Sequence, residues 1–136
     1  MKIDGACHCG AIRYEAEVDP ARVMICHCTD CQILSGSAFR TVAPAPKASF
    51  RLLCGQPKIY VKTTADSGNK RTQAFCANCG TPIYSSPVSA EFPFYSLRVG
   101  TIRQRAELRP SAEYFCRSKL GWTGLEGTRR FETMPG

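Results

Sequence analysis

The sequence predicts a single, mainly β domain of short antiparallel strands whose turns are fastened by metal. Short alternating runs bounded by Gly, Pro, Asn and Asp point to strands, and only one stretch carries helix signals. Seven of the nine cysteines fall in three tight clusters, which is where the metal enters. At 136 residues and 15.0 kDa, residues 1–136 suit one domain with a real core. The 43% hydrophobic and 21% charged shares are those of a folded chain and exclude a disordered one.

Taken in order, residues 11–18 alternate polar and apolar and end at Asp19-Pro20, as a half-buried strand does. Residues 38–43, 49–53, 58–63, 71–75, 94–99 and 113–116 read as further strands, each flanked by turn residues. Residues 64–69 have hairpin-turn chemistry. A short helix is expected over 29–34, capped by Thr29 and stopped near Gly36. No repeat, heptad or low-complexity segment interrupts this pattern. No apolar stretch at the amino end suits a signal peptide and no run is long enough to span a bilayer, so the expected setting is the cytoplasm.

The cysteines stand as Cys7-His8-Cys9, Cys26-His27-Cys28-Thr29-Asp30-Cys31 and Cys76-Ala77-Asn78-Cys79. An odd count without an export signal argues against a disulfide framework, and close spacing lets thiolates converge on one ion. Cys7 and Cys9 with Cys76 and Cys79 supply the four sulfurs of a closed tetrahedral Zn²⁺ site, which is a structural staple. Gly80 after the last cysteine permits the tight knuckle turn. A redox dithiol at Cys76 and Cys79 is the rival reading, weakened by the missing βαβ pattern and the matching cysteine pair. Cys54 and Cys116 stand alone and read as core residues.

Cys26, Cys28 and Cys31 supply three thiolates, and two readings stand. One is a catalytic-type zinc with a vacant fourth position; the other is a second structural site completed by Cys54, Cys116 or a histidine. Three thiolates on Zn²⁺ carry a net negative charge and make a poor Lewis acid, so an open site suits a sulfur substrate better than water activation. The His-x-Glu and Pro-Cys-x-x-Cys signature of zinc deaminases does not occur. His27 has either an outer role or a surface position, and Asp30 favours the amino end of the helix over service as a base. Iron can substitute in thiolate knuckles, but zinc is the expected ion.

The formal charge of +7 is spread from Lys2 to Arg130 without a long basic run, which argues against a nucleic-acid partner. Seven thiolates on two Zn²⁺ lower the balance by three, to +4.

Four landmarks carry a family resemblance. They are residues 5–14 around Cys7-His8-Cys9-Gly10; Cys26 to Cys31 leading to Ser35-Gly36-Ser37-Ala38-Phe39; Phe75-Cys76-Ala77-Asn78-Cys79-Gly80-Thr81-Pro82-Ile83-Tyr84; and Ser118-Lys119-Leu120-Gly121-Trp122. In this order they resemble the glutathione-dependent formaldehyde-activating enzymes (GFA), a family that includes the centromere-protein-V-like proteins (CENP-V). The resemblance implies an Mss4-like fold of antiparallel sheets around a structural zinc held by Cys7, Cys9, Cys76 and Cys79. It also implies Cys26, Cys28 and Cys31 as the catalytic-type site. The implied reaction is a carbon–sulfur lyase condensation of glutathione, or a related thiol, with formaldehyde or another small aldehyde to an S-hydroxymethyl adduct. Arg40 or Arg98 is a candidate to meet the thiol's carboxylates, although surface arginine is the more ordinary reading of either. The alternative from a different class is a non-catalytic, zinc-stabilised module binding protein or nucleic acid; thiol redox or metal handling is a weaker third.

Overall fold

The computed structural model describes residues 1–135 and is built mainly of β-strands. The strands are β1 (Lys2–Ala6), β2 (Arg13–Glu17), β3 (Met24–Cys26), β4 (Arg40–Pro46), β5 (Arg51–Cys54), β6 (Lys58–Lys62), β7 (Arg71–Phe75), β8 (Pro82–Pro87), β9 (Phe94–Arg98) and β10 (Ala112–Tyr114). One α-helix is present among the described residues, α1 (Thr29–Ser35), which follows β3.

A three-stranded sheet runs β1-β2-β5, and a seven-stranded sheet runs β10-β3-β4-β9-β8-β7-β6. Pairing is antiparallel except between β10 and β3, where Ala112, Glu113 and Tyr114 lie beside Met24, Ile25 and Cys26 in parallel register. That parallel pair departs from the all-antiparallel expectation: the chain returns across the molecule to add its last strand at the β3 edge. Pro44 and Pro46 are tolerated in β4 because β3 pairs only as far as Val42. Beyond that point β4 has β9 alone as a partner, so a missing N–H leaves no ladder bond unmade.

The core lies between the sheets. Ile3, Tyr14 and Ala16 of the small sheet face Ala43, Ala45 and Leu97 of the large one, with Ile83, Ile102 and Leu108 completing the cluster. The alanines keep β4 low, and aromatic rings fill the space above it. Phe50 packs 5.4 Å from Tyr14 and 4.6 Å from Tyr95, centroid to centroid. Burial pushes the Tyr14 phenol up to about 12, and its hydroxyl is satisfied at 2.7 Å from Thr101 Oγ1.

The opposite face of the large sheet is polar. Ser96 pairs with Ser85, and Ser85 with Gln73, so these three form a row across β9, β8 and β7. Arg98 and Arg71 lie two residues along from Ser96 and Gln73 on that same face, and Arg98 pairs with Val42, two residues from Arg40.

Strand 71–75 was expected with the bounds it has, and most others lie within two or three residues of expectation. β1, β3 and β8 were not expected. Cys54 and Cys116, read as core residues, are both exposed. The helix cap is Cys28 rather than Thr29: its Sγ accepts a hydrogen bond from Cys31 N at 3.3 Å. Gly36 ends α1 in the left-handed region, as expected.

Candidate metal centres

Two groups of sulfurs converge. Cys7, Cys9, Cys76 and Cys79 form one, and Cys26, Cys28 and Cys31 the other, with all Sγ atoms in each group within 4.8 Å of one another. The partition is the one that spacing suggested. Among the described residues neither Cys54, Cys116 nor a histidine joins the three-sulfur group.

The four-sulfur group is built from two knuckles. One follows β1: Cys7 N donates to Ile12 O, Gly10 N donates to Cys7 O, and Ile12 N donates to Cys7 Sγ at 3.2 Å. The other joins β7 to β8: Cys76 N donates to Thr81 O and Gly80 N to Cys76 O. Both turn through a glycine with positive φ, +79° at Gly10 and +78° at Gly80, a conformation that costs side-chain-bearing residues energy. Thr81 links the knuckles, its Oγ1 lying 3.1 Å from His8 N and 3.1 Å from Cys79 Sγ. Sulfur separations of 3.6 Å (Cys7–Cys9) and 3.8 Å (Cys9–Cys76) match the edge of about 3.8 Å that four Zn–S bonds of about 2.3 Å define. The donors therefore fit a tetrahedral zinc.

The three-sulfur group sits where β3 ends and α1 begins. Cys26 is the last residue of β3, Cys28 caps α1, and Cys31 is in its first turn. The intervening His27, just past the end of β3, does not join the sulfurs. Its ring is 1% exposed and edge-on to Phe39, with Nε2 2.8 Å from Glu113 Oε1. The surface position considered for it is thus excluded. Gln32 Nε2 donates to both His27 O (2.9 Å) and Ser118 O (3.0 Å), tying this turn to the segment after β10. Without a cation the sulfurs compete for protons. The neighbouring Cys26 sulfur and burial push the Cys31 thiol well up, while Cys31 draws Cys26 down. Three soft sulfur donors within 4.8 Å of one another fit zinc as well.

Cys26, Cys28 and Cys31 line a cavity of about 430 Å³, which the four-sulfur group does not. Arg40, Arg71, Arg98 and Gln73 also line it. Arg40 and Arg98 are only 7% exposed, against the surface reading of both. Their Nη1 and Nη2 atoms donate to the same acceptor, Gln73 Oε1, at 3.2 and 2.9 Å. Burial first, then the Arg40 charge, pushes the Arg98 guanidinium down to about 9. Arg71 Nη2 lies 3.4 Å from Ser85 Oγ. At the rim, Asp30 Oδ2 accepts from Lys62 Nζ (2.9 Å) and Thr64 Oγ1 (2.7 Å). Burial works to raise its pKa, but Thr64 and Lys62 prevail and hold it below the ordinary carboxylate range. A carboxylate so engaged is poorly suited to act as a base. Arg117 and Asp66 pair across the rim, joining the segment after β10 to the β6–β7 turn.

Gln73, Arg71, Lys62 and Arg117 were not singled out from sequence. The one available signal was the i, i+2 placement of Arg71 and Gln73 on a strand found correctly, which put both on one face.

A family model described as glutathione-dependent formaldehyde-activating enzyme matches residues 2–118. An uncharacterized lyase of Schizosaccharomyces pombe is 28% identical over 92 residues, or 68% of this chain. The chain spans 63% of the length of that curated relative. A crystal structure of a Rhodobacter sphaeroides protein superposes with a TM-score of 0.62 at 21% identity, covering 81% of this chain and 98% of that one. At that identity the likeness is one of fold. Among the described residues no helix is long and apolar enough to cross a membrane.

Proposed function

Because this chain belongs to the glutathione-dependent formaldehyde-activating enzyme family, we propose that it is a zinc-dependent carbon–sulfur lyase joining glutathione, or a related thiol, to formaldehyde or another small aldehyde. The observation that supports this reading is the opening of the Cys26, Cys28 and Cys31 sulfurs onto a 430 Å³ cavity, where a fourth partner can be a substrate. Cys7, Cys9, Cys76 and Cys79 would hold a structural Zn²⁺, and Cys26, Cys28 and Cys31 a second one. The chemistry that second ion supplies when bound is to favour a thiol in its deprotonated form.

Adduct formation makes a bond from the thiol sulfur to the aldehyde carbon and breaks the carbonyl π bond. The oxygen takes that electron pair and ends as a hydroxyl, with the proton balance met by the one the thiol gave up. The lyase direction reverses each step. Thiol addition to an aldehyde is facile, so the chain's main contribution is to hold two small molecules together in one cavity. Arg40 and Arg98 offer N–H donors there, while Asp30, engaged by Lys62 and Thr64, remains a spectator. Free thiols stay reduced in the cytoplasm, which is the compartment this activity requires.

Cys28→Ser tests the reading. Thiol–aldehyde turnover should fall about 100-fold while the four-sulfur metal stays bound. A variant with full turnover would sink the mechanism.

A further inference from the structure

The cavity floor carries more positive charge than the metal chemistry accounts for. Arg40, Arg71 and Arg98 share one face of the large sheet, and none takes part in any ion pair among the described residues. Their partners are neutral: Gln73 Oε1 for Arg40 and Arg98, Ser85 Oγ for Arg71, and Ser96 O for a second Arg98 contact at 3.3 Å. Arg98 Nε is buried with no hydrogen-bond partner among the described residues. Buried guanidiniums are ordinarily paired with carboxylates, because their forked donors match two acceptor oxygens. A dication on three thiolates has one negative charge, and two with a bound thiolate. Three guanidiniums exceed either, so the centre alone leaves them under-compensated.

We propose that this floor is an oxyanion subsite, in which Arg40, Arg71 and Arg98 take a carboxylate carried by the thiol or by the aldehyde. Gln73 serves as its neutral organiser, holding two guanidinium forks toward one point without neutralising them. A carboxylate there has its donors already aimed, and the free Arg98 Nε gains an acceptor. Small acids are thereby preferred over uncharged analogues of the same size. As a statement about substrate the proposal rests on the thiol–aldehyde reading above; as a statement about binding it is measured without turnover.

The test uses the full chain with its zinc, under reducing conditions in a chloride buffer. Malonate is the probe, titrated calorimetrically. One malonate should bind per chain. Gln73→Glu places a carboxylate at the point where both guanidiniums already donate, so it should weaken malonate by about tenfold or more and raise the unfolding temperature. This variant removes no arginine, so its folding is not at risk in the way that of an Arg98 variant is. No malonate binding to the parent protein, or equal binding to Gln73→Glu, overturns the subsite. Turnover then identifies the source of the carboxylate. Malonate competition against glutathione but not formaldehyde assigns it to the thiol, and competition against glyoxylate but not β-mercaptoethanol assigns it to the aldehyde. Malonate binding with no turnover of any pair would keep the subsite and discard the lyase reading; turnover without malonate binding would do the reverse.

Discussion

His27 lies between two candidate metal ligands yet hydrogen-bonds to neither, spending its ring on Glu113 instead. Its backbone N–H donates to Tyr114 O at 2.9 Å, so one residue clasps β10 through both main chain and side chain. His27→Ala should therefore cost about 1–3 kcal/mol of stability, by opening a buried cavity and releasing Glu113. Hydrogen exchange should show the loss concentrated at Ala112–Tyr114; uniform protection would contradict this role. The seven clustered cysteines were readable because each cluster is local in sequence, although Cys9 and Cys76 meet only across 67 residues of chain. His27 and Arg98 were not readable in the same way. Whether either is buried depends on β10 and β7, which pack there from far along the chain.

Among the elements, β1 is fastened at its centre. Asp4 accepts from Arg103 Nη2 at 2.8 Å and from Gln104 Nε2 at 2.8 Å, and Arg103 followed by Gln104 holds its carboxyl below the ordinary value of 3.8. A depressed carboxylate stabilises the fold above its unfolded pKa, and that contribution vanishes as pH falls through the lower folded value. Asp4→Asn should thus unfold at a lower temperature than the parent at pH 7, with the gap closing below pH 3.8. A gap that persisted in acid would mean that the ion pair is not its source. The knuckles make a separate prediction. Gly80→Ala meets no atom within 4 Å but must hold φ near +78°, so it should cost about 1 kcal/mol and speed metal loss to a chelator. Unfolding in denaturant and a colorimetric zinc-release assay would measure the two effects. Strands 71–75 and 94–99 were legible from the turn residues that flank them. β1 contains a glycine, β3 has three residues and β8 is bracketed by prolines, so each owes its conformation to its neighbours more than to its own pattern.

For the whole molecule, the two sulfur groups should behave differently. Elemental analysis of protein purified without chelator should give two zincs per chain. A graded chelator titration should remove the cavity-lining ion first with little change in circular dichroism. The second ion should leave only as the fold is lost, because it staples the small sheet's β1 to the β7–β8 connection of the large one. A single release step coincident with unfolding would contradict the division into an accessible and a structural site. Fold class was legible at this scale, since many short strands and one helix admit few architectures. The parallel β10–β3 pair was not, because nothing in three residues announces which edge they will join.

The staple also imposes a timetable. Cys9 and Cys76 meet across 67 residues of chain, whereas the other three sulfurs lie within one short turn. At synthesis rates of about 5–20 residues per second, Cys7 and Cys9 wait roughly 3–13 s for their partners to be made. During that interval the nascent protein presents two unpaired thiols to oxidants and competing metals, while Cys26, Cys28 and Cys31 can already gather around an ion. Oxidants and competing metals would therefore reach the four-sulfur group chiefly at birth, whereas in mature molecules they would meet the cavity-lining sulfurs and the exposed Cys54 and Cys116 instead.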